Sequence, residues 1–214
     1  MKNKEQTKRL VGMASLVAII VVLQLMSNYI TFGSVSITLA LIPIVVGAII
    51  YGPLAGCILG LFMGAMAIVA PSTLAVFMPH NAWATIIICL LKGGMAGLVA
   101  GLSFKLIKKY NFVVAIITAA ILAPLVNTGI FLLGAALFFR DLYGAENFLS
   151  AFGVIGGLIL VNFLIEFAVN AALSPALTQL VRILSRNYNL GFTLDIDEFD
   201  DEIDEELKEE LIEE

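Results

Sequence analysis

The stretch Ser36–Gly64, SITLALIPIVVGAIIYGPLAGCILGLFMG, leaves this chain few folds to choose from. It is two apolar runs joined by Tyr51-Gly52-Pro53. Read as helices, each run approaches the roughly 20 residues of a bilayer crossing, and shorter spans are tolerated. Gly52 permits the turn, and Pro53 opens the next helix where its missing N–H does no harm. Gly56, Gly60 and Gly64 then recur every fourth residue, which puts them on one helix face that a neighbouring backbone can approach closely. The stretch reads as a membrane hairpin with a packing groove, and the rest of the chain is expected to wrap around it.

The composition agrees. Hydrophobic residues make up 60% of the 214, against about 45–50% in a soluble domain. The runs lack the in–out alternation of barrel strands, so the expected class is an all-α membrane protein. Six transmembrane helices emerge, at about 10–29, 35–50, 54–70, 82–107, 112–139 and 148–184. The last three are longer than a straight crossing needs, which implies tilt or protruding ends. The basic start MKNKEQTKRL has no small-residue cleavage site after it and reads as the lead into a first span. Cys57 and Cys89 lie inside apolar runs and read as packing residues.

Charge sets an orientation. Lys2, Lys4, Lys8 and Arg9 precede the first span, Lys105, Lys108 and Lys109 separate the fourth and fifth, and Arg182 and Arg186 close the sixth. With six spans all three clusters share one side, which the positive-inside rule makes cytoplasmic. Both termini are then cytoplasmic, and the segments 27–34, 71–81 and 140–147 face outward. Residues 1–190 form the expected membrane domain. Residues 191–214 form a separate acidic tail, with 13 acidic residues against Lys208, a local charge of −12. Ile196, Phe199, Ile203, Leu207 and Leu211 recur there at spacings of three and four, an amphipathic helix pattern. The tail reads either as a solvated, partly helical segment or as an arm for a basic cytoplasmic partner. Anionic lipid surfaces would repel it.

The sequence argues against an enzyme. It has one histidine, His80, and no HExxH, GxSxG or GxxxxGK[ST] motif. No metal site, cofactor or nucleic-acid partner is expected. The informative residues are the polar ones inside the spans, because they are costly in lipid. Lys92 stands near the middle of the fourth span and Glu166 well inside the sixth. They read as a helix-fixing ion pair or as contacts to a polar ligand. Asn162, Glu166 and Asn170 form one stripe at i, i+4 and i+8. Asn127 and Thr128 follow Pro124, whose ring frees a backbone carbonyl. Gln24 and Asn28 share a face of the first span. Together these residues point to a cavity. In the segment 71–81, His80 and Asn81 are placed to close a pocket, with solvation as the plainer role for His80. Trp83 reads as an interfacial anchor or as a platform for a ring-bearing ligand. Ala14-x-x-x-Ala18 is a small-residue pattern that lets another helix approach.

The ordered set of Ala14-x-x-x-Ala18, the Ser36–Gly64 stretch, LLKGGMAGLVAGL in the fourth span and APLVNTGIFLLG in the fifth resembles the substrate-binding S-components of energy-coupling factor (ECF) transporters, which import vitamins into prokaryotes. The resemblance covers about residues 8–185, and the acidic tail is not part of it. It implies an S-component-like bundle in a prokaryotic plasma membrane that binds a vitamin-like small molecule at the outer ends of its helices. It also implies docking on a transmembrane T-component that carries two ATPase subunits, through a first-span face that maps to Ala14 and Ala18. The candidate ligand contacts are Asn28, His80, Asn81, Trp83, Lys92, Asn127, Asn162 and Glu166. Lys92 suits a carboxylate-bearing ligand as a point charge. Pantothenate is the first expectation; folate, niacin, riboflavin or a corrinoid are alternatives. A self-sufficient secondary transporter and a membrane assembly protein working through its acidic tail are the rival classes. The small-residue faces Gly56, Gly60, Gly64 and Gly93, Gly97, Gly101 are expected to pack the bundle as a rigid body.

Overall fold

A computed structural model describes residues 2–27, 31–32, 35–36 and 38–187. Asn28 and the acidic tail lie outside the described residues. Six α-helices run in chain order: α1 (Lys2–Ser27), α2 (Leu41–Tyr51), α3 (Pro53–Ile68), α4 (Ala82–Ile107), α5 (Phe112–Phe138) and α6 (Phe148–Asn187). A short antiparallel hairpin, β1 (Thr31–Phe32) and β2 (Val35–Ser36), follows α1, with Phe32 opposite Val35.

Three helices are long and apolar enough to cross a membrane: α1 over Gln6–Ser27, α4 and α5. A fourth qualifies if α6 counts as one crossing, since its segments Phe148–Leu160 and Phe163–Val169 meet at 46°. The helices α2 and α3 are shorter, with 11 and 16 residues. At 1.5 Å per residue they rise about 16 and 24 Å, against a hydrocarbon core of about 30 Å. The helix expected from residue 35 begins at Leu41, because Pro43 suits a first turn, where its missing N–H does no harm, and Val35, Ser36 and Thr38 favour extended chain. The connection expected at 71–81 is itself largely helical, with a wide π-type turn at Thr73–Phe77. The boundaries of α4 and α5 follow the sequence closely. Each is set by an asparagine whose side chain accepts from a first-turn N–H: Asn81 from Ala84 at 3.1 Å and Asn111 from Val114 at 2.9 Å.

Glycine dictates how α3 and α4 meet. The two helices run antiparallel across one seam, with Gly56 against Gly97, Gly60 against Gly93, and Gly64 against the Cys89 carbonyl. A Cβ on Gly56 would come within 2.5 Å of the Gly97 carbonyl oxygen, and one on Gly60 or Gly93 would overlap the facing glycine's carbonyl. The Cα of Pro53 continues the seam against Gly101. The two glycine faces noted in the sequence are therefore each other's partners. Gly52 joins α2 to α3 at φ 94°, a left-handed conformation that a side chain would strain.

Around this seam the interior is built mostly of alanine and β-branched residues. One cluster joins Val45, Val46 and Ile49 of α2 to Ala100 and Phe104 of α4 and Ala115, Ile116 and Ala119 of α5. Another, at the opposite end, joins Ala84 and Ile88 to Ala135, Ala136 and Phe139 and to Ala151 and Ile155. Large apolar side chains also line the outside, including Ile19 and Val22 of α1, Phe62 of α3, Ile87 and Leu91 of α4, Leu133 and Leu137 of α5, and Leu158 and Leu164 of α6. A surface this apolar suits lipid rather than water.

The seam gives a direct test. Gly60→Ala adds one methyl group where the facing partner is backbone, and is expected to cost at least about 2 kcal/mol, the range of overpacked cores. Gly157→Ala meets nothing within 4 Å and is expected to be neutral or to gain up to about 1 kcal/mol from helix propensity. Thermal unfolding of both variants in detergent reads the difference.

Candidate functional site: a polar cavity inside the bundle

Polar residues within apolar helices need partners, and here they converge. A cavity of about 80 Å³ is lined by Gln24 of α1, Thr38 ahead of α2, Met63 and Ala67 of α3, Lys92 of α4, Asn127, Thr128 and Phe131 of α5, and Ile159, Phe163 and Glu166 of α6. Ser72, Thr73 and Phe77 of the wide turn complete the wall. On this measure a single water takes roughly 10–15 Å³, so the space admits several waters or a small organic molecule.

Lys92 precedes Gly93 of the seam. The glycine faces α3, and the lysine, about 100° further round the helix, reaches the cavity. Its Nζ stands 5.2 Å from the centroid of the Phe131 ring, a cation–π contact. Among the described residues the ammonium makes no hydrogen bond or salt bridge. Phe131 is held edge-on by Phe77 at 5.7 Å between centroids, and Phe77 in turn packs edge-on against Phe139 at 5.2 Å. The wide turn thus closes the cavity with an aromatic wall.

Glu166 is 5% exposed, and its Oε1 accepts the backbone N–H of Thr38 at 2.7 Å. This bond ties α6 to the segment entering α2. Alongside it, Ser27 Oγ accepts the N–H of Leu39 at 3.4 Å and donates to the carbonyl of Leu23 at 2.8 Å. Lys92 and Glu166 share one cavity without a direct salt bridge among the described residues.

Two side chains remain unsatisfied. Gln24 is 5% and Asn127 4% exposed, and the Oε1 of one and the Oδ1 of the other are buried with no partner. Both residues line the cavity. A buried amide without a hydrogen bond typically costs about 1–3 kcal/mol, so two of them facing one space are suited to a ligand that supplies the missing bonds.

Of the residues singled out in the sequence, Lys92, Asn127 and Glu166 meet in the cavity, as do Gln24 and Thr128. Asn81 caps α4. His80 Nδ1 bonds the Val76 carbonyl at 2.9 Å, and Trp83 is 78% exposed; all three lie outside the lining. Asn28 and the side chain of Asn162 lie outside what the structure describes. Ala14 and Ala18 are exposed on α1. The sequence reading did not single out Thr38, Ser72, Thr73 or the aromatics Phe77, Phe131 and Phe163. Phe131 follows Asn127 by one turn and Phe163 precedes Glu166 by nearly one, so i±3 and i±4 neighbours of the polar residues were the available signal.

Asn127→Leu removes an unpartnered amide at nearly constant volume. In the ligand-free protein it is expected to raise stability by about 1 kcal/mol, read as an increased Tm in detergent.

A family model described as ECF transporter, substrate-specific component, matches residues 8–178. No curated protein and no solved structure matches the chain. The family match spans most of the sequence, so the chain belongs to the substrate-specific components of the ECF transporters.

Proposed function

We propose that this chain captures a vitamin at the cavity and delivers it through an ATP-driven ECF importer, with pantothenate as the ligand. The observation that carries the proposal is the Lys92 ammonium, without an ion-pair partner among the described residues, in one cavity with two unpartnered amides. With Glu166 bonded to the Thr38 N–H, that set suits one carboxylate for the ammonium and at least two neutral hydrogen-bond donors for the amide oxygens. Pantothenate carries one carboxylate, two hydroxyls and an amide. Nicotinate lacks groups for both Gln24 and Asn127, riboflavin lacks the carboxylate, folate brings a second one, and a corrinoid is far larger than the space.

On this reading the short helices α2 and α3 form a hairpin crossing, which gives six spans with both ends in the cytoplasm of a prokaryotic cell. The exposed pair Ala14 and Ala18 forms the contact face for the T-component, whose two ATPase subunits supply the hydrolysis for which this chain has no motif. Asn28 and Asn162 are assigned to the ligand with Lys92, Asn127 and Glu166.

Mass spectrometry of small molecules released from the purified protein, followed by titration, tests the ligand. Near-stoichiometric pantothenate is expected, and Lys92→Ala is expected to weaken binding at least tenfold, about 1.4 kcal/mol. A variant with full affinity would remove Lys92 from the site. A second prediction separates docking from capture. Ala14→Leu with Ala18→Leu is expected to leave the dissociation constant unchanged while abolishing ATP-dependent uptake in cells that carry the other subunits. Loss of ligand binding in that pair would place the residues in the fold rather than on a contact face.

A further inference from the structure

The acidic tail is left without a partner by the proposed function, and the structure offers it one. The helix α4 ends in Lys105, and Lys108 and Lys109 follow in the turn to α5. The Lys108 ammonium is held below the ordinary lysine range, first by burial and then by the like charges of Lys105 and Lys109. Beside the lysines, Leu102 and Leu106 are exposed one turn apart, and Tyr110 is 86% exposed. Leu102 and Leu106 lie within the span Ala82–Ile107, where an exposed apolar face suits lipid, so the face open to the tail is Lys105, Lys109 and Tyr110 at the helix end. Leu54 adds a further exposed apolar group at this end, where Pro53 meets Gly101. The Arg9 guanidinium is here too, donating to the Tyr51 carbonyl at 2.8 Å.

The chain end lies within reach. Glu166 shares the cavity with Lys92 and Asn127. From there α6 runs antiparallel to α5 and ends at Asn187, 21 residues on, or about 31 Å. Lys108 is 16 residues beyond Lys92 on α4, or about 24 Å in the same direction. Residues 188–214 then span about 40 Å as a helix and up to about 90 Å extended. Their charge between 191 and 214 is −12, with an apolar stripe of Phe199, Ile203 and Leu207 between the acids.

We infer that the acidic tail folds back onto its own chain, with its carboxylates on Lys105 and Lys109 and its apolar stripe against the exposed Tyr110 ring. Covalent attachment places the tail at an effective concentration in the millimolar range, and charge complementarity selects the face. An anionic bilayer surface would repel the same segment. The competing occupant of the lysines is an anionic phospholipid headgroup, and the two are separable.

The full-length protein in a zwitterionic detergent, without anionic lipid, is treated with a carbodiimide that joins ammonium to carboxylate, and the monomer is mapped by mass spectrometry. Links from Lys105 and Lys109 to residues 198–210 are expected. Raising the salt to about 1 M, where the screening length falls to about 3 Å, is expected to lower their yield severalfold. Lys105→Glu with Lys109→Glu is expected to abolish the remaining links of this face at unchanged Tm. The inference is overturned if the tail links only to its own Lys208. It is equally overturned if, in nanodiscs, the two lysines protect anionic lipid from exchange while wild-type tail links stay absent.

Discussion

The backbone contact between α3 and α4 is the constraint on which the rest depends. Helices in lipid gain little from burying apolar surface against each other, so close approach and dispersion have to hold them. Glycine at 56, 60, 64, 93 and 97 removes every side chain that would hold the axes apart. The consequence reaches the cavity. Gly93 faces α3, so Lys92 turns inward, and Gly64 faces α4, so Met63 and Ala67 form the neighbouring wall. A seam that needs no polar atoms thereby fixes the position of the most polar group in the bundle.

Polar atoms inside an apolar bundle are costly, and this protein handles them in two ways. Glu166 and Ser27 are bonded to the chain entering α2, which anchors that segment to α6 and α1. Gln24 and Asn127 are left without partners beside a lysine that rests on an aromatic ring. The first set serves the fold. The second faces the cavity, where a water or another occupant with hydrogen-bond donors can complete its bonds.

Much of this was legible in the sequence because glycine and proline act locally. The Gly52-Pro53 break and the two glycine faces each map onto an observed feature. Lys92, Asn127 and Glu166 were legible because an intramembrane charge or amide needs a reason. Asn81 was read as closing a pocket, whereas the structure shows it capping α4, a role that its position just before an apolar run allows. The aromatic wall was not legible. Phe77, Phe131 and Phe163 line the cavity while Phe62 and Phe138 face outward, and a phenylalanine in an apolar helix is equally at home in either place. The late start of α2 was hidden by hydropathy, which scores Val35 and Ile37 as favourably for a helix as for a strand.

The helix α1 joins these threads. Its inner face packs on the hairpin: Gly12 lies against the Tyr51 side chain, Leu16 approaches Gly47, and Ile20 is buried beside Ile44 and Leu59. Its C-terminal end brings Gln24 to the cavity, while Ala14 and Ala18 stay exposed on the helix. Ala18 and Gln24 are six residues apart, about 9 Å along the axis. A ligand that bonds the Gln24 amide restrains the same rigid helix that presents the alanines. Coupling between an occupied cavity and an outside partner requires an element whose position both can bias. The helix α1 is such an element, because one rigid helix carries both Gln24 at the cavity and the exposed alanines.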